Sequence, residues 1–374
     1  MQFTIPQERF LSVLERASSV VPAKTTMPIL RTVHLAVAKN EMAVSATDLE
    51  LIITSRVAVD APDDGTAVVP AKRLLELARV LQSDQLVKIE GETGHYLAIA
   101  AGTGRFRIAG EEPAMFPQLP TLPPEPIMRM AANKLKRIID KSLYAVATDE
   151  LRPVLNGVLF QIKAGKLRAV STDGHRLVRW SDTATVFQTP DFDWIIPKRA
   201  LEVLNKMLDG SREQLDVDIY LAQNQLHFKQ DTIVLSTRLI DGKFPLFDSV
   251  IPTNNPNHLT AEVKSFLSAV KRVSVFSGSL TRHIRLDLKA GEIVLQAEDP
   301  EGVGRGVESL AVEYNGESFT IGYNSAFLEK ILAQIDSSNV LFELSGPSGA
   351  GVIKPTEQAE GEDLLMLLMP VRLS

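Results

Sequence analysis

The feature that most constrains this chain is a sequence unit of about 125 residues that occurs three times. Residues 3–48 match residues 128–173 at a constant offset, and a third copy begins at Leu259. A long internal period indicates an architecture of repeated units, so it is considered before any single element. The matched positions of the first two copies include Phe10 with Leu135, Val13 with Ile138, Leu14 with Ile139, Pro28 with Pro153, Thr47 with Thr172 and Asp48 with Asp173.

The repeat also predicts the domain organisation. A length of 374 residues suggests two or three domains, and the three copies select three. Proline-rich segments at 117–126 and 252–257 are typical of the connections between domains. We therefore predict domains at 1–125, 126–253 and 254–374.

Each copy has the pattern of an α+β domain. A short strand precedes a helix whose apolar residues recur at three- and four-residue spacing, such as Phe10, Val13 and Leu14. Two alternating strands follow, and a second helix begins after a proline, Pro70 or Pro197, in the first two copies. Further alternating strands close the copy. The pattern predicts two helices packed on one face of antiparallel strands in every domain.

Composition excludes several classes of protein. The chain has no cysteine, which removes disulfides, thiolate nucleophiles and cysteine-bound metals. The first residues lack the basic and apolar regions of a secretory signal. The apolar run at 364–371 is too short to cross a bilayer. These features predict a cytoplasmic protein.

Charge is distributed unevenly along the chain. The chain as a whole carries −6, whereas the predicted helical segments are neutral or basic, so the remainder is strongly acidic. Lysines on a single helix often only solvate its surface, but segregation over several helices is typical of a surface that meets phosphates. The net charges are 0, +2, +3, +2, +2 and 0 for segments 6–21, 71–82, 132–147, 198–208, 261–276 and 324–335.

The number of helices determines how wide a hole a ring lined by these basic helices would have. Helices spaced by roughly 10 Å around a ring leave a hole of about 9 Å when there are six of them, which is too narrow for a DNA duplex. Twelve helices leave a hole of about 28 Å, which is wide enough. A ring around duplex DNA would therefore need two copies of this chain.

The sequence STDGHRL at residues 171–177 is the only dense polar motif. One interpretation makes Asp173 and His175 an acid–base pair with Arg176 as an anion clamp, as in a hydrolase. The alternative is a tight turn at Asp-Gly, which is favoured because the first copy has ATDLE at the same place and no nucleophile motif accompanies the histidine. No histidine spacing typical of a metal site is present, and we predict neither a cofactor nor a catalytic residue.

Taken together, the three copies, TDGHRL, DGKFP at residues 241–245 and the closing MPVRL at residues 369–373 resemble the bacterial DNA polymerase III β subunit family, the sliding clamps. The resemblance covers essentially the whole chain. It implies three DNA-clamp domains per chain and a head-to-tail homodimer that forms a six-domain ring around duplex DNA. It also implies a non-catalytic processivity factor for the replicative polymerase, without sequence specificity for DNA.

The resemblance further implies a peptide-binding pocket between the second and third domains. Short linear motifs of the polymerase III α subunit, the clamp loader, other polymerases and repair proteins would bind there. The pocket residues would be Leu155, Thr172, Gly174, His175, Arg176, Leu177, Pro245, Val250, Leu367, Met369, Pro370, Val371, Arg372 and Leu373. Where some relatives have two tyrosines, arginine and methionine, this chain has Pro153 with Val154, Ser249 and Val371.

Two further sets of residues follow from the resemblance. Phosphate contacts with DNA would come from Lys24, Arg73, Lys136, Arg137, Lys198 and Arg199. The dimer interface would bring Phe106 of one subunit against Val275 and Phe276 of the other. Two alternatives to a sliding clamp remain. One is a hydrolase, and the other is a protein-interaction scaffold that does not bind DNA.

Overall fold

The computed structural model describes residues 1–208, 215–279, 281–299 and 301–373. Each copy of the repeat consists of two similar halves, and each half is one strand, one helix and a meander of three strands. Alternation of buried and exposed residues along the strands puts one face of every sheet against the helices.

The first copy contains two helices and eight strands in this order, with one short additional strand, β5. Its elements are β1 (Gln2–Pro6), α1 (Gln7–Ser18), β2 (Thr32–Ala38), β3 (Glu41–Thr47), β4 (Leu51–Ala58), β5 (Asp60–Asp63), β6 (Gly65–Pro70), α2 (Ala71–Val80), β7 (Leu86–Glu92), β8 (Tyr96–Ala101) and β9 (Gly104–Ala109).

The second copy has the same order without an additional strand among its described residues. Its elements are β10 (Met128–Ala131), α3 (Ala132–Ser142), β11 (Gly157–Lys163), β12 (Lys166–Thr172), β13 (Arg176–Asp182), β14 (Phe192–Pro197), α4 (Lys198–Met207), β15 (Asp216–Ala222), β16 (Gln225–Gln230) and β17 (Ile233–Arg238).

The third copy repeats the order once more and adds a two-residue strand, β22. Its elements are β18 (Asn257–Glu262), α5 (Val263–Ser274), β19 (His283–Lys289), β20 (Glu292–Glu298), β21 (Arg305–Ala311), β22 (Glu313–Tyr314), β23 (Phe319–Asn324), α6 (Ser325–Leu332), β24 (Asn339–Leu344), β25 (Gly351–Pro355) and β26 (Glu362–Leu368).

The two halves of each copy exchange their first strands. β1 pairs with β7 of the second meander, whereas β6 pairs with β2 of the first meander, both antiparallel. The same exchange occurs for β10 and β14 and for β18 and β23. Neither half can therefore complete its sheet alone, which ties the halves into one domain.

Sheets also continue from one copy to the next. The closing strand β17 pairs with β4 of the first copy, and the closing strand β26 pairs with β13 of the second. Within the described residues these two junctions produce sheets of eight and nine strands, while sheets of five and four strands end in the unpaired edges of β9 and β21.

The chain divides into two compact units that follow these shared sheets. The first comprises Met1–Lys136 with Arg199–Leu239, and the second comprises Arg137–Lys198 with Ile240–Ser374. One junction lies inside each unit. The division cuts through the second copy, because its two halves belong to different sheets.

The predicted helical faces form the cores. Phe10, Val13, Leu14 and Ala17 of α1 are buried, and Phe266, Ala269 and Val270 are buried on α5. The helices are shorter than the predicted helical segments, because the flanking residues belong to the preceding strand, as Pro6 and Asn324 do, or to the turn after the helix. Four regular strands rather than two separate the helices of each copy. The turn after Thr47 or Thr172 leads into a third strand, and the second half then opens with a strand of its own, β6 or β14. In the part of the chain described here, no helix has the length and apolar character needed to span a membrane.

Candidate functional site

The TDGHRL motif forms a tight turn between β12 and β13. Asp173 Oδ1 accepts hydrogen bonds from the backbone N–H groups of His175 and Arg176 at 2.9 and 3.0 Å, and Gly174 has a φ of +89°. The other carboxylate oxygen, Oδ2, accepts from Arg176 Nε at 3.0 Å. Both carboxylate oxygens of Asp173 are therefore used to hold the turn and its arginine. This geometry favours the turn over an acid–base pair.

Arg176 is buried beneath this turn against aromatic rings. Its guanidinium carbon lies 4.5 Å from the centre of the Phe327 ring and 5.4 Å from that of Tyr144. His175 stacks on Phe327 from outside, with ring centres 6.2 Å apart. Arg176 Nη1 and the Tyr144 hydroxyl are buried without a hydrogen-bond partner among the described residues. Burial raises the pKa of Tyr144, so its hydroxyl stays neutral.

The end of the chain lies beside the turn. Leu367 of β26 is directly opposite Leu177 of β13, and the Met369 N–H donates to the His175 carbonyl at 2.8 Å. The Val371 N–H donates to the Gly322 carbonyl of β23 at 2.8 Å. A Cβ atom at position 322 would come within 2.6 Å of the Leu373 side chain. The closing segment is therefore fixed by backbone hydrogen bonds on both sides.

An apolar cluster adjoins this segment. It is bordered by exposed apolar side chains, among them Leu246 at 86 % and Val250 at 55 % exposure, together with Met369 and Leu373. Such side chains at the surface are typical of a place where another apolar surface binds. The cluster contains Leu159, Val170, Leu177, Ile195, Phe247 and Leu367, with Val154, Ile240, Phe244, Ile251 and Ala350 packed against it.

The predicted pocket residues reach this region to different degrees. Leu177 and Leu367 belong to the cluster itself, and Pro245 and Val250 lie next to Phe244, Phe247 and Ile251 in sequence. Leu155 is buried in a 3-10 turn beside Val154, outside the cluster. The other predicted residues lie on the turn or the closing segment: Thr172, Gly174, His175, Arg176, Met369, Pro370, Val371, Arg372 and Leu373.

Sequence reasoning missed three aromatic residues, Phe244, Phe247 and Phe327. The first two flank the proline of the DGKFP segment and pack on or in the cluster. Phe327 occupies the third position of α6, where α2 has Arg73 and α4 has Ala200. A comparison of the three copies at this position could have found it.

The first compact unit holds four of the predicted DNA-binding residues. Lys24 and Arg73 are exposed, and Lys136 Nζ donates to Asn205 at 3.1 Å. Arg199 lies at the start of α4, where Nε is 3.1 Å from Asp48 and Nη2 donates to the Val20 carbonyl. Lys24 and Arg73 thus present their charge to solvent, whereas the charge of Arg199 is partly compensated.

The second unit holds the other two, Lys198 and Arg137. Lys198 is partly exposed at the beginning of α4. Arg137 of α3 pairs with Glu362 of β26 and, at 2.7 Å, with Asp336. Hydrogen bonds that Arg137 donates to Glu362 and Asp336 outweigh burial and raise the pKa of Arg137 above its ordinary value. The positive charge of Arg137 is therefore largely compensated within the unit.

The predicted dimer residues lie at two of the sheet edges, those of β9 and β21. Phe106 is on the edge strand β9, in the first unit, and is 39 % exposed. Val275 and Phe276 follow α5 in the second unit and are 77 % and 38 % exposed. The Phe276 ring lies over the edge strand β21 and its approach, since a Cβ at Gly304 or Gly306 would come within 2.9 or 2.6 Å of it.

The structure contains no cluster of candidate metal ligands within residues 1–208, 215–279, 281–299 and 301–373. No group of three or more histidine, aspartate or glutamate side chains in these ranges is arranged to hold an ion.

Three family models match the chain and together cover most of it. They describe the N-terminal, central and C-terminal domains of the DNA polymerase III beta subunit and match residues 1–120, 129–246 and 248–372.

Curated relatives and solved structures agree with these models over the full length of both chains. The beta sliding clamps of Pseudomonas aeruginosa and Escherichia coli are 31% and 29% identical. The crystal structure of the P. aeruginosa protein has a TM-score of 0.93, and the Caulobacter crescentus clamp, 30% identical, has 0.91. The chain belongs to the DNA polymerase III beta subunit family, the beta sliding clamps.

Proposed function

We propose that two copies of this chain close head to tail into a ring around duplex DNA, in the cytoplasm, and tether the replicative polymerase to its template. The observation that carries this proposal is which strands at the sheet edges have a partner and which do not. The closing strands β17 and β26 pair with β4 and β13, the last strands of the first meanders of the preceding copies. The remaining closing strand, β9, and the remaining last strand of a first meander, β21, each have one edge without a partner strand among the described residues. A second copy supplies each of the missing partners.

The register of the proposed contact follows from the repeat. Leu235 pairs with Ile53 at the first junction, and Met366 pairs with Val178 at the second. The cross-strand pairs of each second meander show that Phe106, Leu235 and Met366 occupy equivalent positions in their closing strands. Ile53, Val178 and Gly306 likewise occupy equivalent positions in β4, β13 and β21, the last strands of the first meanders. The two junctions thus share one register, which sets Phe106 opposite Gly306 of the partner subunit.

Side-chain packing supports this register. Phe106 is partly exposed. Phe276 covers Gly306 of its own chain so closely that position 306 has no room for a side chain. Placing Phe106 opposite Gly306 of the partner subunit brings it against Phe276 of the partner subunit. Aromatic pairs of this kind contribute about 0.5–1.5 kcal/mol beyond their buried area.

The predicted cations, most of them on helices, are proposed to contact the phosphates of DNA. Lys24 and Arg73 are exposed and are the strongest candidates, followed by Lys136, Lys198 and Arg199. Arg137 remains in the proposal as a weaker contact, since Glu362 and Asp336 already satisfy it. Phosphate contacts fix position without reading sequence, which suits a protein that slides.

The apolar cluster beside TDGHRL is proposed as the docking site for partner peptides. It offers a few polar groups around apolar side chains, the usual composition of a ligand pocket. Pro153 and Val154 remove aromatic contacts at its border, and Ser249 donates its hydroxyl to the Leu246 carbonyl rather than presenting a cation. We therefore expect peptides to bind mainly by apolar contacts.

Retention on circular DNA tests the ring. Protein loaded on a closed circle should remain through gel filtration and should be lost when the circle is cut once, because a ring can slide off only a free end. Equal retention on circular and linear DNA would refute topological binding. Charge-neutral variants of Lys24 and Arg73 should lower the loading yield and leave retention unchanged.

Truncation tests the peptide site. Deletion of residues 370–374 removes the backbone contact of Val371 with Gly322, so affinity for a polymerase-derived clamp-binding peptide should fall by about tenfold or more. Isothermal titration measures the affinity, and sedimentation checks that the dimer is intact. Val186→Ala, an exposed apolar position near the opposite end of β12, is the control. Unchanged affinity in the truncated protein would refute the site.

A further inference from the structure

We propose that ring closure sets Arg107 directly opposite Arg305 of the partner subunit, and that Glu92 and Glu298, which do not cross the interface, make this contact tolerable. The inference rests on the proposed head-to-tail dimer and on its register. It identifies residues behind the interface as determinants of how tightly the second copy binds.

The register that pairs Phe106 with Gly306 of the partner subunit fixes its neighbours as well. One residue further along β9, Arg107 is opposite Arg305 of the partner subunit. One residue back, Arg105 is opposite Val307 of the partner subunit. Arg105 and Arg107 lie on the face of their sheet that points away from the helices, because Phe106 and Ile108 alternate with them and share a face with the buried residues Ile99 and Leu97.

No carboxylate of β21 is placed to pair with these arginines. Glu308 is the acidic residue of that strand, and it lies on the helix-facing side, opposite buried Leu295. There it accepts from Arg272 Nε and Nη2 at 3.0 and 2.5 Å. Its hydrogen bond with Arg272 lowers the pKa of Glu308, so the pair is ionised and complete within one chain.

Each of the opposed arginines is drawn back into its own subunit. Arg107 Nε donates to Glu92 Oε2 at 2.6 Å, and its guanidinium carbon lies 3.6 Å from the centre of the Tyr96 ring. Arg305 Nη2 donates to Gln296 Oε1 at 2.9 Å, and Glu298 is its direct neighbour across the β20–β21 pair. Two carboxylates thus flank two arginines in the assembled sheet.

Like charges placed directly opposite on neighbouring strands destabilise the pairing. Here the ion pair with Glu92 compensates Arg107 from the side away from the partner. Glu298, the cross-strand neighbour of Arg305, lies on the corresponding side of Arg305 of the partner subunit. Removing either carboxylate should therefore weaken subunit association although neither touches the second subunit. The apolar contact of Phe106 with Phe276 of the partner subunit is unaffected by such a change.

The dimer dissociation constant of the full chain, measured by sedimentation, tests the inference. At low salt, Glu92→Gln should raise it by about threefold to tenfold, because both interfaces of the ring lose the compensation. Arg305→Gln should lower it by a similar factor. In the Arg305→Gln background, Glu92→Gln should have little further effect, and about 1 M salt should remove all of these differences.

Glu41→Gln is the matched control, since it breaks an exposed glutamate–arginine pair with Arg56 that lies away from both edges. Thermal unfolding of each variant checks that the fold is intact. An unchanged dissociation constant in Glu92→Gln, or an equal effect with and without Arg305, would overturn the inference. A wild-type chain that is monomeric at all concentrations would instead overturn the proposed dimer.

Discussion

At the scale of single residues, the clearest trace of the repeat is the position shared by Leu49 and Gly174. Both follow the repeated aspartate, and both have positive φ values, +81° and +89°. In the second copy glycine suits this conformation. In the first, leucine adopts it because Asp48 Oδ1 accepts the N–H groups of Glu50 and Leu51 and holds the same turn. A side chain in this conformation costs about 1–2 kcal/mol.

Replacing Leu49 by glycine should therefore stabilise the protein. Part of the gain is offset because glycine gives the unfolded chain more freedom, so we expect the free energy of unfolding to rise by about 0.5 kcal/mol. Chemical denaturation measures it. Leu49→Ala, which keeps the strain and removes the same apolar side chain, is the control. Leu49→Gly that is no more stable than Leu49→Ala would contradict the prediction.

At the scale of elements, α3 is fixed to the third copy by ion pairs within the second unit. Lys141 is buried, and its Nζ donates to the Gln334 carbonyl at 2.5 Å and to Asp336 at 2.8 Å. Arg137, one helical turn earlier, pairs with Asp336 and Glu362. Burial alone would raise the pKa of Asp336, but hydrogen bonds from Lys141 and Arg137 outweigh it and lower the pKa below its ordinary value.

This lowered pKa predicts a pH dependence. An ionised Asp336 stabilises the folded protein, fully so above its pKa in the unfolded chain, about 4. The contribution is lost as pH falls through the lower folded pKa. The stability difference between wild type and Asp336→Asn should be constant from neutral pH to about pH 5 and shrink below pH 4.

Denaturation at a series of pH values measures this difference. Glu357→Gln, at an exposed position of the same unit, serves as the control and should show a much smaller dependence. A difference between wild type and Asp336→Asn that grows as the solution is acidified would contradict the prediction.

The elements themselves were largely predictable, and their partners were not. Apolar spacing on α1 and α5 predicted the buried faces of these helices. Asn324, a residue type common at helix N-caps, accepts the N–H groups of Ala326 and Phe327 at the start of α6. The exchange of β1 and β6 between halves could not be predicted. Alternation shows which face of a strand is buried but does not show which edge it pairs with.

At the scale of the whole molecule, the proposed register can be tested with disulfides, because the chain has no cysteine of its own. Arg105→Cys combined with Val307→Cys places two cysteines directly opposite across the interface. Opposed residues of antiparallel strands have Cα atoms about 4.5–5.5 Å apart, within the range of a disulfide. Mild oxidation should convert most of the protein into a covalent dimer, seen on a denaturing gel.

The control pair is Arg105→Cys with Arg305→Cys, displaced by two residues on the same face. Diagonal neighbours are about 7–8 Å apart, too far for ready cross-linking. Equal cross-linking of both pairs, or preference for the displaced pair, would show that the third junction differs in register from the two within the chain.

The sequence by itself determined the threefold repeat, the helical faces, the basic helices and the TDGHRL turn. Periodicity, turn chemistry and charge depend on the residue types present and on their spacing along the chain. Only the tertiary structure decided how they combine. It joined closing strands to preceding copies, brought Phe327 over Arg176, and compensated Arg137 with Asp336 and Glu362. These outcomes depend on which distant edges and side chains meet, and contacts of that kind leave no local pattern in a single sequence.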